Sequence, residues 1–263
     1  MDYALTQHTT LSLGASRRIT RPEPEALNPY IDHEYAPNLN SGNPYLKPQI
    51  TQSFDLGFEV EQPIMTYQLT GYYRRNTNSV TNVVTYLGSG ESLSTLANLP
   101  RNDSAGVEFS ANGRVQRWLS YGLSGNAFYT QIDATQLGSP GLRSTNGVNL
   151  KAKLDFQLTA VDSLQVAIVR TDKRLTAQGS VRAINLLNLG YKRPLTPTLA
   201  LVATLTDALN GQHFEREVST PELTQTYQRR ATGQVGFLGL VYTFGAKKKT
   251  KDAGFEYDLG SAK

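Results

Sequence analysis

Apolar side chains recur at every second position in this chain over runs of ten residues or more, and no other feature limits its folding so tightly. Phe54, Leu56, Phe58 and Val60 alternate with Asp55, Gly57 and Glu59. Val148, Leu150, Ala152, Leu154, Phe156 and Leu158 alternate with Asn149, Lys151, Lys153, Asp155 and Gln157. A β-strand turns successive side chains to opposite faces, so each run presents one apolar and one polar face. Leu11, Leu13 and Ala15 repeat the theme, as do Met65, Tyr67 and Leu69; Val107, Phe109 and Ala111; Leu119, Tyr121 and Leu123; and Leu199, Leu201, Ala203 and Leu205. The charges on the polar face of the 148–158 run suit a water-filled or plugged lumen better than a sandwich core. Runs of about 10 residues suit a tilted strand crossing a bilayer, whereas strands of soluble sheets usually have about 5–6.

Other classes fall away on composition. No stretch approaches the roughly 20 consecutive apolar residues of a membrane helix. A transmembrane β-barrel escapes that test, because lipid-facing and lumen-facing residues alternate and every window averages polar. The chain has no cysteine, so no disulfide framework is available. A net charge of +4 without a basic stripe does not suit nucleic-acid binding. A soluble carbohydrate-binding sandwich would leave these leucine-rich faces exposed to water.

Connections alternate between tight and long, as expected of short periplasmic turns and longer outer loops. The tight ones fall at Glu61-Gln62-Pro63, Asn112-Gly113-Arg114, Ala160-Val161-Asp162-Ser163 and Arg193 to Pro197. The long ones run from Thr20 to Lys47, Gly88 to Leu93, Leu137 to Ser144, Leu175 to Ser180 and Thr220 to Gln228. Between them the pattern predicts strands near 9–18, 48–61, 64–87, 93–112, 117–134, 145–159, 163–174, 181–193, 197–213 and 228–244. The expected fold is all-β: an antiparallel up-and-down transmembrane barrel, with about ten long strands forming part of a larger barrel. Residues 1–8 are expected to form a periplasmic turn segment, 9–244 the barrel, and 245–263, opening on Lys247, Lys248, Lys249 and Lys251, a polar disordered tail. Met1 to Thr10 have no positive n-region or apolar h-region, so the chain reads as the downstream piece of a longer exported protein.

Several segments carry a more specific resemblance. Ser16-Arg17-Arg18-Ile19-Thr20-Arg21-Pro22 is followed by Leu27-Asn28-Pro29 and then by Gly42-Asn43-Pro44-Tyr45-Leu46-Lys47-Pro48, which runs into Ser53-Phe54-Asp55-Leu56-Gly57-Phe58-Glu59. Proline fixes φ and bars the preceding residue from helix, so Asn43-Pro44 and Lys47-Pro48 steer the chain from a loop into a strand. This succession resembles the barrel of TonB-dependent receptors. There a strand ending in Ser-Arg and a proline precedes an outer loop, an Asn-Pro-x-Leu-Lys-Pro-Glu stretch and a strand reading Glu-Leu-Gly. Here Gln49 replaces the first Glu, and Asp55 stands for the second. Asn102 to Phe109 and the ending Leu240-Val241-Tyr242-Thr243-Phe244 are similar to further strands of that family. The resemblance spans residues 9–244 and implies the C-terminal portion of a plugged barrel of about 22 strands.

It also implies a function. Such a barrel takes up a scarce solute, a ferric siderophore, haem, cobalamin or an oligosaccharide, with energy from TonB acting through a plug domain that this chain is expected to lack. Arg21, Asp32, His33, Glu34 and Tyr35, in the longest outer loop, are the expected capture residues. Leu238, Leu240, Tyr242 and Phe244 resemble the signal by which the barrel assembly machinery recognises a terminal strand. Outer-membrane lipid is the remaining partner, and the alternative is a stand-alone porin-like or structural barrel.

No reaction is expected. His8, His33 and His213 stand in no spaced ligand motif, and no serine has a matching His and Asp, so neither a metal, a cofactor nor a catalytic residue is assigned. Asp55, Glu59, Glu108 and Asp155 are expected to pair with lumen bases such as Lys151 and Lys153. Tyr72, Tyr73, Tyr86, Tyr121, Tyr129, Tyr191, Tyr242 and Trp118 are expected in the aromatic girdles at the membrane interfaces.

Overall fold

A computed structural model describes residues 1–137, 141–230 and 233–244. Strands make up most of these residues. In chain order the strands are β1 (Asp2–Thr6), β2 (Thr9–Thr20), β3 (Asn38–Asn40), β4 (Gln49–Gln62), β5 (Met65–Gly88), β6 (Glu91–Gln116), β7 (Leu119–Asp133) and β8 (Leu142–Gln157). They continue with β9 (Ser163–Thr171), β10 (Arg174–Thr176), β11 (Gly179–Val181), β12 (Ile184–Pro194), β13 (Leu199–Thr206), β14 (His213–Ser219), β15 (Thr224–Arg230) and β16 (Val235–Tyr242).

Eleven of them form one antiparallel meander in the order β1-β2-β4-β5-β6-β7-β8-β9-β12-β13-β16. All ten expected strands lie in it. Residues 1–8, expected as a turn segment, instead hold β1, which pairs with β2 from Asp2↔Ser12 to Thr6↔Thr9. The pairing satisfies one edge of β2, and β1 and β16 remain as the two edges of the sheet. The expected tail, 245–263, lies outside the described residues.

Register carries the alternation of single strands across the whole wall. One row reads Leu13, Leu56, Gly71, Val107, Ala127 and Val148 from β2 to β8. Leu13, Leu56, Val107 and Val148 in it are exposed, as lipid-facing residues must be without lipid. The neighbouring row, on the opposite face, reads Gly14, Asp55, Tyr72, Gly106, Phe128 and Gly147. Large and small side chains alternate here for a steric reason. A Cβ on Gly106 would lie 2.7 Å from the Tyr72 hydroxyl, and one on Gly147 would lie 2.8 Å from the tip of Phe128. Each ring lies over the glycine of the next strand.

The apolar band has visible margins. At its lower edge the Tyr67 and Tyr121 hydroxyls meet at 3.1 Å, and Trp118 stacks on Phe156 with centroids 6.2 Å apart. At its upper edge Arg75 (3.1 Å) and Arg101 both pair with Asp103 on the outward face. Tyr67 to Arg75 advances about 27 Å along a strand, roughly 20 Å across a membrane at the usual tilt, close to the band of outer-membrane barrels. Tyr72 departs from the expected girdle: it is buried on the lumen face, because its even position opposes Asp55 and Gly106.

Beyond the band the outer excursions build structure of their own. β5 and β6, 24 and 26 residues long, outrun their partners β4 and β7, whose pairing stops at Thr77 and Arg101. Opposite Pro100, which has no N–H to give, Asn78 takes a positive φ of 57°, and the two strands continue as a ribbon to a tip at Gly88-Ser89-Gly90. The segments 175–180 and 220–228, expected as loops, contribute instead to a separate four-stranded sheet in the order β10-β11-β14-β15, whose β14 (His213–Ser219) lies between the expected strand 197–213 and the expected loop 220–228. The expected strand 197–213 stops at Thr206 because Asp207 turns the chain. Fully buried at φ 51°, its carboxylate accepts the N–H groups of Gly211 (2.7 Å) and Gln212 (3.0 Å).

Candidate binding site

The lumen wall between β2 and β9 is a hydrogen-bonded surface of amides, hydroxyls and a few charges. Arg74 sits at its centre. Its guanidinium lies 3.3 Å from Glu108, 3.8 Å from Asp55 and 4.2 Å from the centre of the Tyr72 ring. Tyr72 donates to Asn126 Oδ1 at 3.1 Å, Ser53 to Asp55 at 3.0 Å, and Thr51 to Asn76 Oδ1 at 2.7 Å. The lumen carboxylates were expected to pair with Lys151 and Lys153. Asp55 and Glu108 pair instead with Arg74, and Asp155 accepts from Gln165 at 2.5 Å. Register decides this, since Arg74 stands opposite both Ser53 and Ser104, on the same face as Asp55, one same-face step along β4, and as Glu108, two such steps along β6.

Above this wall the outer excursions interlock. The loop after β2 runs along the ribbon: β3 pairs in parallel with β6 from Asn38↔Ser92 to Asn40↔Ser94, and Asn43 Nδ2 donates to Leu96 O at 2.8 Å. Gln178, at the β10–β11 turn, treats Val84 of β5 as a strand neighbour would. Its Oε1 accepts the Val84 N–H at 2.7 Å, and its Nε2 donates to the Val84 carbonyl at 3.1 Å. Ala177 packs on Leu99 and Ala134. Arg143 of β8 donates to the carbonyls of Thr176 (3.0 Å), Ala177 (3.2 Å) and Gly179 (3.1 Å). Gln225 of β15 donates to Asn38 Oδ1 at 3.0 Å, joining the four-stranded sheet to the first loop.

Between wall and cap lies a cavity of about 360 Å³, lined by Tyr72, Asn76, Asn102, Asn126, Asn149 and Arg174 among others. None of the capture residues expected from sequence lines it. Asp32, His33, Glu34 and Tyr35 lie together on an exposed turn of the first loop, where Asp32 Oδ1 accepts the Glu34 N–H at 2.9 Å. Arg21 is exposed at the end of β2. Among the described residues, no three His, Asp or Glu side chains converge as metal ligands. Leu238, Leu240 and Tyr242 share the outward face of β16, while Phe244 follows two residues beyond the strand.

Sequence reading missed the four-stranded sheet and with it Arg174, Gln178 and Arg216. A signal was present. Phe214, Arg216 and Val218 alternate with Glu215 and Glu217, and Asn210-Gly211 before them is a turn dipeptide that separates this run from β13.

Residues 1–242 match the model of the outer membrane protein beta-barrel family. The chain belongs to that family. A comparison with curated proteins finds no match. Among solved structures, this family member is similar to the siderophore receptor PirA from Pseudomonas aeruginosa, with a TM-score of 0.61 at 13% identity over 92% of this chain and 41% of that one. It is similar to a mutant of the ferric enterobactin receptor PfeA from Pseudomonas aeruginosa, at 0.57, 18%, 92% and 39%, and to the copper transporter OprC, at 0.62, 12%, 92% and 38%. The chain thus spans about two fifths of each of these structures. As a member of the outer membrane protein beta-barrel family, it resides in the bacterial outer membrane.

Proposed function

We propose that this wall is the C-terminal part of an energy-coupled receptor that captures a scarce solute outside the cell and passes it inward. The observation that carries the reading is the interlocked cap over a polar cavity at the outer mouth, held through Gln178, Arg143 and Asn38. The likeness to siderophore receptors and a copper transporter supports it. An unpaired strand edge in hydrocarbon is prohibitively costly, so further strands close the wall between β1 and β16. TonB acts through a plug domain rather than through the wall. Arg21, Asp32, His33, Glu34 and Tyr35 make first contact from the exposed rim. Leu238, Leu240, Tyr242 and Phe244 engage the barrel assembly machinery.

The test is uptake of a panel of labelled ferric siderophores, haem, cobalamin and oligosaccharides by cells expressing the full-length protein. Saturable uptake of one of them that stops on deletion of TonB supports the reading. Passive, size-limited flux in liposomes, indifferent to TonB, would assign a porin-like barrel instead.

A further inference from the structure

The four-stranded outer sheet separates its charges by face. Along β14, Phe214, Arg216 and Val218 point to one side, and Glu215 and Glu217 to the other. Register carries the first side across the sheet: Arg174 opposes Val181, Val181 opposes Arg216, Arg216 opposes Tyr227, and Phe214 opposes Arg229. Arg174, Arg216 and Arg229 therefore share a face that carries no carboxylate from any of the four strands. Glu215 pairs with Arg182 at 3.2 Å on the other face.

Arg216 is poorly compensated where it stands. Its Nε is buried without a hydrogen-bond partner. Desolvation, with Arg174 as the second cause, pulls its pKa below the ordinary guanidinium value. The one carboxylate lining the cavity beside Arg174 is already engaged: Asp172 accepts from Arg170 (3.3 Å) and from the N–H groups of Val148 (3.0 Å) and Lys173 (2.9 Å). A desolvated cation beside a second cation is costly unless an anion joins them. Arg174 shows where that anion enters, because it lines the cavity together with Asn76, Asn102 and Asn126. Asn102 Oδ1 is also buried without a partner and lines the same cavity as Arg174, so an acceptor stands ready there.

We propose that Arg174 and Arg216 bind the oxyanion of a small soluble molecule, a carboxylate, sulfonate or phosphate, whose hydrogen-donating body lies against Asn102 and the neighbouring lumen amides. The site faces the lumen rather than the lipid, which selects a dissolved molecule over a membrane headgroup. This deepens the receptor reading and rests on it for the claim that the molecule is the transported solute.

The test uses inorganic pyrophosphate as probe, with ³¹P line broadening read on the full-length protein in detergent at low salt. Broadening that citrate reverses is expected. R174Q and R216Q should each weaken it roughly tenfold or more, as loss of a charge-assisted hydrogen bond does. R182Q, on the opposite face, should bind like the parent. R174Q, at the cavity wall, keeps the test decisive if R216Q fails to fold, as judged by heat-modifiable migration on gels. Absence of broadening, or broadening equal in the parent and R174Q, would overturn the site, even in a protein that transports a solute in a TonB-dependent manner. Binding lost in R174Q would support it, even in a protein that transports none of the panel.

Discussion

Gly71 and Gly106 lie in adjacent strands, Gly71 opposite Val107 and so one position from Gly106, yet they have different reasons to be glycine. A Cβ on Gly106 would press on the Ala127 carbonyl at 2.5 Å and on the Tyr72 hydroxyl, whereas one on Gly71 would meet nothing within 4 Å. G106A is therefore expected to displace Tyr72 from Asn126 and to destabilise the fold by about 1–3 kcal/mol, the usual range for overpacking. G71A should be close to neutral, with both read as midpoints of heat-modifiable gel migration. Asp162, in the tight turn between β8 and β9, gives a pH dependence. Hydroxyl donors from Thr159 and Tyr191, each at 2.6 Å, hold its carboxyl below the ordinary carboxylate value. A carboxyl whose folded pKa is depressed adds stability above its unfolded pKa and loses it as pH falls through the folded value. The stability gap between the parent and D162N should be complete at about pH 6 and shrink progressively below about pH 4. A gap that is constant with pH would remove the carboxylate's charge from the account.

At the scale of elements, the outer sheet is fastened to the wall by very few groups. Gln178 satisfies both backbone groups of Val84, and an unsatisfied buried donor or acceptor costs about 1–3 kcal/mol. Q178A should speed amide hydrogen exchange at Val84 and along β10 and β11, while exchange in β7 and β8 stays unchanged. Equal exchange in parent and variant would mean that Arg143 and the Ala177 contact hold the sheet without it. The long strands were legible in sequence because each pairs with its chain neighbour, so alternation and turn residues suffice to place it. β10, β11, β14 and β15 were not, because β11 pairs with β14 across an intervening hairpin, β12–β13. Short runs of that kind look like loop until their partners are known.

For the whole molecule, the decisive asymmetry is between the two faces of one sheet. Leu56, on the outward face midway between the Tyr67 row and the Arg75 row, should tolerate charge poorly. L56R is expected to lose about 2–4 kcal/mol in denaturant unfolding from phospholipid bilayers. T70R, one position away on the lumen face and opposite Glu108, should lose less than about 1 kcal/mol. Similar losses for both would contradict the assignment of outside and inside.

Sequence by itself determined the wall: the period of two, the tight and long connections and the terminal strand are local properties, and an antiparallel meander turns each directly into structure. It also marked which face meets lipid, since hydrocarbon admits only one kind of side chain. Tertiary structure alone decided the site. That Arg74 takes Asp55 and Glu108, that Tyr72 turns inward over Gly106, and that Arg174 and Arg216 meet on one face all depend on register between strands. A shift of one residue exchanges the two faces, so no strand read alone reveals which side chains will be neighbours.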